Sequence, residues 1–211
     1  MSDEFPNLTV IDHPLIRARL SVIRAAGTDT VSFRHALHDV AILMTFEVTR
    51  DLETNSLDVE TPLMQMEGSQ LKRPVVFVPI LRAGVGLLNG LTEVVTEAQV
   101  GYIGLYRDEE TLEAKTYYCR LPGNLEESDI FLIDPMLATG GSAIDAVGKL
   151  KEAGATRIRF VSLIAAPEGV AAFQEAHPDV RIFTAALDEC LNDRAYIVPG
   201  LGDAGDRYFG T

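Results

Sequence analysis

The sequence predicts an α/β protein, a mostly parallel sheet flanked by helices, and two patterns carry that expectation. Beyond Pro74, short runs rich in β-branched residues (75–80, 100–105, 129–133, 157–163 and 180–185) alternate with stretches of helical spacing (85–97, 142–153 and 168–176). Strands that alternate with helices build parallel sheets covered on both faces. The chain also has the material for such a core. Its 211 residues, 47% of them hydrophobic, suit a single domain spanning 1–211 and exclude wholesale disorder.

Taken in order, the first third reads as helical. Leu15, Leu20 and Ile23 recur at helical spacing within 14–26, and Phe33, Leu37, Val40, Met44 and Val48 do so within 30–52. The first strand, 75–80, is followed by the helix 85–97 and the second strand, 100–105. Residues 117–121, preceded by a charged stretch, read as part of a hairpin or projecting loop rather than as a core strand. The helix 142–153 keeps Lys151 and Glu152 on its exposed side and has Gly154 placed to end it as the C′ residue.

Charge and cysteine usage narrow the function. The chain has 18 basic and 31 acidic side chains, a net charge of −13, which argues against non-specific binding to nucleic acid or anionic membranes. Cys119 and Cys190 lie far apart and form no C-x-x-C pair, so a disulfide scaffold or cysteine zinc site is not expected. The start, Met1-Ser2-Asp3-Glu4-Phe5-Pro6, has no basic segment followed by an apolar run, and no apolar stretch reaches membrane-spanning length. The expectation is a soluble, cytoplasmic protein.

In open α/β sheets ligands bind beyond the carboxyl ends of the strands, and three such places have unusual sequence. The strongest is Asp134-Pro135-Met136-Leu137-Ala138-Thr139-Gly140-Gly141-Ser142, an acid at a strand end, a loop of small residues, then a helix. Its glycines let peptide N–H groups converge on an anion, the helix start adds partial positive charge, and Thr139 and Ser142 add hydroxyls. The bland alternative is an ordinary turn with Ser142 as N-cap. No Gly-Lys-Ser/Thr ending is present, so triphosphate hydrolysis is not indicated.

The second place is Pro79-Ile80-Leu81-Arg82-Ala83-Gly84, where Arg82 suits a bidentate grip on a phosphate unless it is simply a surface ion-pair partner. Gly84, Gly86 and Gly90, with Asp108 farther on, only loosely imitate a dinucleotide fingerprint. The third, Tyr106-Arg107-Asp108-Glu109-Glu110, reads on local grounds as a solvated loop. A fourth segment is the tail, which has four glycines between Gly200 and Gly210 interleaved with Asp203, Asp206 and Arg207, unlike a frayed terminus. His35 and His38 share a helix face without an evident third ligand, and capping or packing explains them better than metal binding.

Together these segments resemble the uracil phosphoribosyltransferase family, along nearly the whole chain. The loop from Asp134 to Ser142 is similar to that family's phosphoribosyl-pyrophosphate (PRPP) loop. The Pro79 to Gly84 segment, Tyr106-Arg107-Asp108, Phe33-Arg34 and Glu47-Val48-Thr49-Arg50-Asp51-Leu52 match further motifs. The most discriminating match is Tyr196-Ile197-Val198-Pro199-Gly200-Leu201-Gly202-Asp203-Ala204-Gly205-Asp206-Arg207, because the wider phosphoribosyltransferase group shares the phosphate loop but not this tail. Pro135 stands where the wider group has a second acid, as is usual for the uracil enzymes; Glu109 replaces a common proline, and Cys119 and Arg120 vary a loop.

The resemblance implies a type I phosphoribosyltransferase fold with a helical N-terminal segment and a small hood near the C-terminus. It implies transfer of phosphoribosyl from PRPP to uracil, giving UMP and pyrophosphate in pyrimidine salvage, with Mg2+ entering mainly through PRPP. It implies that PRPP meets Arg82, Arg107, Asp134, Pro135, Met136, Leu137, Ala138, Thr139, Gly140, Gly141, Ser142 and Asp203, and that uracil meets Ile197, Gly202, Asp203 and Ala204. Asp203, Arg107 and Asp134 are the expected catalytic group, and a loop around 107–120 is expected to close over the reactants. A homodimer or higher homo-oligomer, with the N-terminal helices as interface, and GTP as an effector also follow from it. Two other classes stay open at this point. A pyrimidine-sensing RNA-binding regulator on the same fold predicts a basic face, and a nicotinamide-dependent enzyme would use residues 84–90.

Overall fold

The computed structural model describes residues 5–107 and 114–211. Its centre is a sheet assembled from β1 (Leu8–Val10), β4 (Val75–Leu81), β6 (Tyr102–Arg107), β7 (Ala114–Arg120), β8 (Asp129–Ile133), β10 (Ile158–Ala165) and β11 (Arg181–Leu187). Their order is β1-β11-β10-β8-β4-β6-β7, with the short β5 (Gln99–Val100) beside β4 and β9 (Met136–Leu137) beside β10. Every pairing is parallel except β6 with β7. Two hairpins stand apart from it, β2 (Thr54–Glu60) with β3 (Gln65–Leu71) and β12 (Cys190–Leu191) with β13 (Ile197–Val198).

The central strands are apolar on both faces because both faces are covered. β4 and β8 alternate between two cores. Val75, Phe77, Phe131 and Ile133 point to one layer, and Val76, Val78, Ile130 and Leu132 to the other. The first layer is closed by α1 (Pro14–Arg24), α2 (Thr30–Val48) and α3 (Val85–Val94), the second by α4 (Gly141–Glu152) and α5 (Pro167–Ala176). A last short helix, α6 (Ala204–Phe209), follows β13 and forms the hood with it.

Local chemistry sets the ends of these helices. Asp29 caps α2 by accepting from Ser32 N at 2.9 Å, and Pro14 and Pro167 open α1 and α5, where a missing N–H costs nothing. Gly154, at φ +91°, ends α4 as expected. The helices expected at 14–26, 30–52 and 85–97 stop earlier, at Arg24, Val48 and Val94. The β6–β7 pair bears out the hairpin reading of 117–121. The β2–β3 hairpin was not anticipated; its side chains are almost all exposed, so burial leaves no alternating pattern to read.

Candidate active site

Strands that follow β4 in the chain build outward to one side, through β6 to β7, while those that follow β8 build to the other, through β10 to β11. The direction of winding therefore reverses between β4 and β8, and the crevice beyond their carboxyl ends is where a doubly wound sheet binds ligand. Both of the strongest sequence candidates emerge there, side by side.

The loop after β8 is anchored through its backbone. Asp134 N donates to Val161 O at 3.1 Å, and Pro135 O accepts from Leu163 N and Ile164 N at 3.0 and 3.1 Å. Met136 and Leu137 then pair with β10 again, and Ala166 N donates to Leu137 O at 2.9 Å. The chain turns into α4 at Gly140, which sits at φ +87° as the N-cap. Ser142 is therefore not the cap, which corrects the bland alternative; it lies one residue inside the helix, and Gly140 offers no side-chain cap. The first turn of α4, which follows directly on the loop after β8, leaves peptide N–H groups without partners inside the helix, as anion binding requires. Gly169 of α5 supports the loop from below: a methyl there would collide with Ala138 O and lie 2.7 Å from Leu137 O.

Burial raises the Asp134 carboxyl to about 7. Repulsion from the Asp203 carboxylate pushes the same way, against a hydrogen bond from the Met136 N–H. A carboxyl pushed toward neutrality by burial and a second acid, in a strand-end crevice, is the pattern of a functional-site candidate.

The β4 loop packs tightly on its neighbour. A Cβ at Gly84 would stand 2.6 Å from Ile133 O and 2.7 Å from Ile80 O, so only glycine fits. The Leu81–Arg82 peptide is cis. The Arg82 side chain is exposed, with Nη2 3.8 Å from Asp206 Oδ1 and its guanidinium 5.7 Å from the Phe209 ring centre. The tail closes the arrangement. Asp203 caps α6 by accepting from Asp206 N at 2.8 Å, and Gly205 packs against Ala83. Asp134, Arg82, Asp203 and the phosphate loop, scattered over the sequence, thus meet at one crevice.

Ile197 is buried in β13, while Gly200 and Gly202 adopt positive φ, +63° and +80°, after a cis Val198–Pro199 peptide. Gly202 makes no backbone hydrogen bond among the described residues, and Ala204 begins α6. Arg107 ends β6, and Asp108 and Glu109 with the rest of 108–113 lie outside the described residues. Gly84, Gly86 and Gly90 serve packing: a Cβ at Gly86 would meet Leu37 and Tyr208, and one at Gly90 would meet Ala41 and the backbone of α2. This removes the basis for a dinucleotide fingerprint. His38 Nε2 lies 2.9 Å from Glu93 Oε2, and no group of three or more His, Cys, Asp or Glu among the described residues is arranged to hold a metal. Sequence reading missed Gly169, and the ion pair of Arg24 with Asp188 that holds the Gly200 backbone. Glycine at 169 and an arginine in a last helical turn are locally unremarked, and their roles exist only through partners distant in the chain.

The fold and this crevice define a phosphoribosyltransferase of the type I class. A purine phosphoribosyltransferase from Pyrococcus horikoshii shares the fold, with a TM-score of 0.51 at 16% identity over 72% of this chain and 84% of that one. A solved protein of Aquifex aeolicus superposes with a TM-score of 0.92 at 38% identity, covering 97% of this chain and 98% of that one. The family model for uracil phosphoribosyltransferase matches residues 10–211. Uracil phosphoribosyltransferases of Streptococcus pneumoniae strain R6 and Staphylococcus carnosus are 55% and 56% identical, over 97% and 96% of this chain and 98% and 97% of theirs. The chain belongs to the uracil phosphoribosyltransferase family.

Proposed function

We propose that this chain transfers the 5-phosphoribosyl group of PRPP to uracil, releasing pyrophosphate and forming UMP, as one catalytic domain over 1–211. The observation that carries the reading is the meeting, at the winding reversal, of a phosphate loop, a carboxyl at a strand end and the glycine-rich tail. Continuity of one apolar core from Ile11 to Ala204 supports the single domain.

The reaction breaks the C1–pyrophosphate bond, building positive charge on the ribose and negative charge on the leaving group. Residues 138–142 receive the 5-phosphate on peptide N–H groups at the start of α4, and Thr139 and Ser142 add hydroxyls. Asp134 accepts from the ribose hydroxyls, beside Pro135, Met136 and Leu137. Arg82 and Arg107 offset charge on the departing pyrophosphate. Mg2+, borne mainly on PRPP, supplies further charge neutralisation of the leaving group; the carboxylate of Asp203 is a hard oxygen donor, which suits an ion that keeps most of its shell in water and phosphate.

Uracil presents acceptor, donor, acceptor along O2, N3–H and O4. Backbone groups of Ile197, Gly202 and Ala204 complement that edge, and Asp203 stands at the reacting nitrogen. Cytosine reverses the pattern at N3 and position 4 and leaves buried groups unpaired. The loop expected to close over the reactants, 107–120, includes residues 108–113, which lie outside the described residues.

Homo-oligomerisation belongs to the same reading. It is supported by exposed apolar side chains on α1 and α2 (Leu15, Val31, Phe46) and on the β2–β3 hairpin (Leu57, Leu63, Met64, Met66). A GTP effector is retained from the family resemblance, without an assigned site. A cytoplasmic location fits the two exposed free thiols, Cys119 and Cys190, and among the described residues no helix is long and apolar enough to cross a membrane.

The test is UMP formation from uracil, PRPP and Mg2+, beside cytosine, hypoxanthine and orotate. Turnover confined to uracil and abolished by chelation is expected. PRPP binding without turnover of any base, together with salt-sensitive RNA binding, would replace this reading with a regulatory one.

A further inference from the structure

The loop assigned to uracil contains Gly200 and Gly202, and glycine-rich backbone does not hold its own shape. Something behind the loop must fix where its peptide groups point. Directly behind it lies Asp188, at the end of β11, with a side chain 4% exposed. Its Oδ2 accepts from Gly200 N at 2.9 Å and from Arg24 Nη1 at 2.7 Å, while Oδ1 accepts from Arg24 Nη2 at 2.5 Å. The same Arg24 Nη1 donates to Gly200 O at 2.8 Å. One ion pair therefore holds both the N–H and the carbonyl of Gly200.

A second brace acts one residue later. Arg207 donates to Leu201 O at 2.9 Å and to Ala25 O at 2.7 Å, and to Ile23 O as well, with its guanidinium 4.7 Å from the Phe33 ring centre. Gly200 and Leu201 are thus tied back to the C-terminal end of α1, directly before Gly202, which makes no backbone hydrogen bond among the described residues.

We infer that Arg24 and Asp188 are positioning residues for nucleobase recognition: the pair sets the orientation of the Gly200–Gly202 backbone and thereby the affinity for uracil, without touching substrate. The inference rests on assigning 197–204 to the base. Its geometry separates the two substrates, because the PRPP loop is anchored on β10 through its backbone and packs on Gly169 of α5, whereas Arg24 and Asp188 bond the backbone of Gly200.

The experiment compares R24K and D188N with wild type in the full-length enzyme. Lysine keeps the charge but cannot reach two acceptors as a fork, and asparagine keeps the shape but loses the charged pairing. The expected result is a KM for uracil raised about tenfold or more, the cost of a small misplacement of recognition groups, with the dissociation constant of PRPP, read by calorimetry, changed by less than about twofold. A purely structural role predicts something else: fewer active molecules, so a lower kcat with both constants unmoved. That result, or an equal rise in both constants, overturns the inference.

G202A is the companion variant, since it alters a group placed at the base itself. If G202A leaves the KM for uracil unchanged, the base-site assignment is wrong. If G202A raises it and neither R24K nor D188N does, the assignment stands and the positioning role fails.

Discussion

The Asp203 carboxylate, at the head of α6, repels the Asp134 carboxyl at the end of β8 and reinforces the effect of burial on it. Two acids far apart in the chain are thus held close enough to share an electrostatic environment. With its pKa raised from 3.8 to about 7, Asp134 binds more protons in the folded than in the unfolded chain between those values. Its contribution to stability is therefore fully present below about 3.8 and is lost as pH rises through about 7.

Asp134→Asn removes that dependence. At about 1.4 kcal/mol per pKa unit, the loss in the wild-type protein amounts to no more than ~4 kcal/mol. Thermal unfolding of the ligand-free proteins from about pH 5 to about pH 8 should show wild type falling behind D134N as pH rises, while D134N loses PRPP binding. Parallel melting curves at all pH values would contradict the burial of an ionisable carboxyl there.

Asp203→Asn should separate chemistry from folding. Asparagine caps a helix about as well as aspartate, so α6 keeps its bond from Asp206 N and the melting temperature stays close to wild type. Turnover should drop by about 100-fold or more, the scale of a lost acid–base or electrostatic contribution. An unchanged kcat would remove Asp203 from the catalytic group.

Gly169→Ala tests the support beneath the phosphate loop. The added methyl has no room against the carbonyls of Ala138 and Leu137, so the loop must move. We expect the KM for PRPP to rise about tenfold or more while a folded protein is retained. A variant with wild-type PRPP affinity would show that the loop tolerates displacement.

The amino end of the central strands, opposite the crevice, serves stability. Asp129, buried at the start of β8, accepts from Arg159 Nη1 at 3.1 Å, and Arg159 also donates to Asp51 at 3.1 Å, which pairs in turn with Arg181. Glu53, held down to about 2 by hydrogen bonds from Lys72 and Arg73, closes the base of the β2–β3 hairpin, and Arg73 reaches on to Asp129 at 4.0 Å. Asp129→Ala removes the buried acceptor of Arg159 Nη1 and leaves Asp51 as the acidic partner of that guanidinium, and should cost about 2 kcal/mol in denaturant unfolding, the scale of a lost hydrogen bond between charged groups. KM values should stay put; a large kinetic effect would mean the two ends of the strands are coupled.

Much of this architecture was legible because burial on both faces writes long apolar runs. β4, β8 and β10 could be marked to within a residue or two, and the carboxyl ends of β4 and β8 pointed to Arg82 and Asp134. β1 and the β2–β3 hairpin were not legible, since short or two-sided exposed strands carry no burial signal. The meeting of Asp134 with Asp203 depends on chain topology, which no local pattern encodes. The partners Arg24 and Asp188 lie 164 residues apart, and each alone looks like an ordinary charged residue.

On the reading proposed for the tail, the base is recognised by peptide groups such as those of Gly202, and such a pocket has no side chain whose replacement would rewrite its preference. Natural variation along that stretch can then drift in residue identity while the choice of base stays fixed, so long as the glycines keep their turn. Efforts to retarget the enzyme to another heterocycle would do better to randomise the surroundings of Arg24 and Asp188 than the residues lining the base.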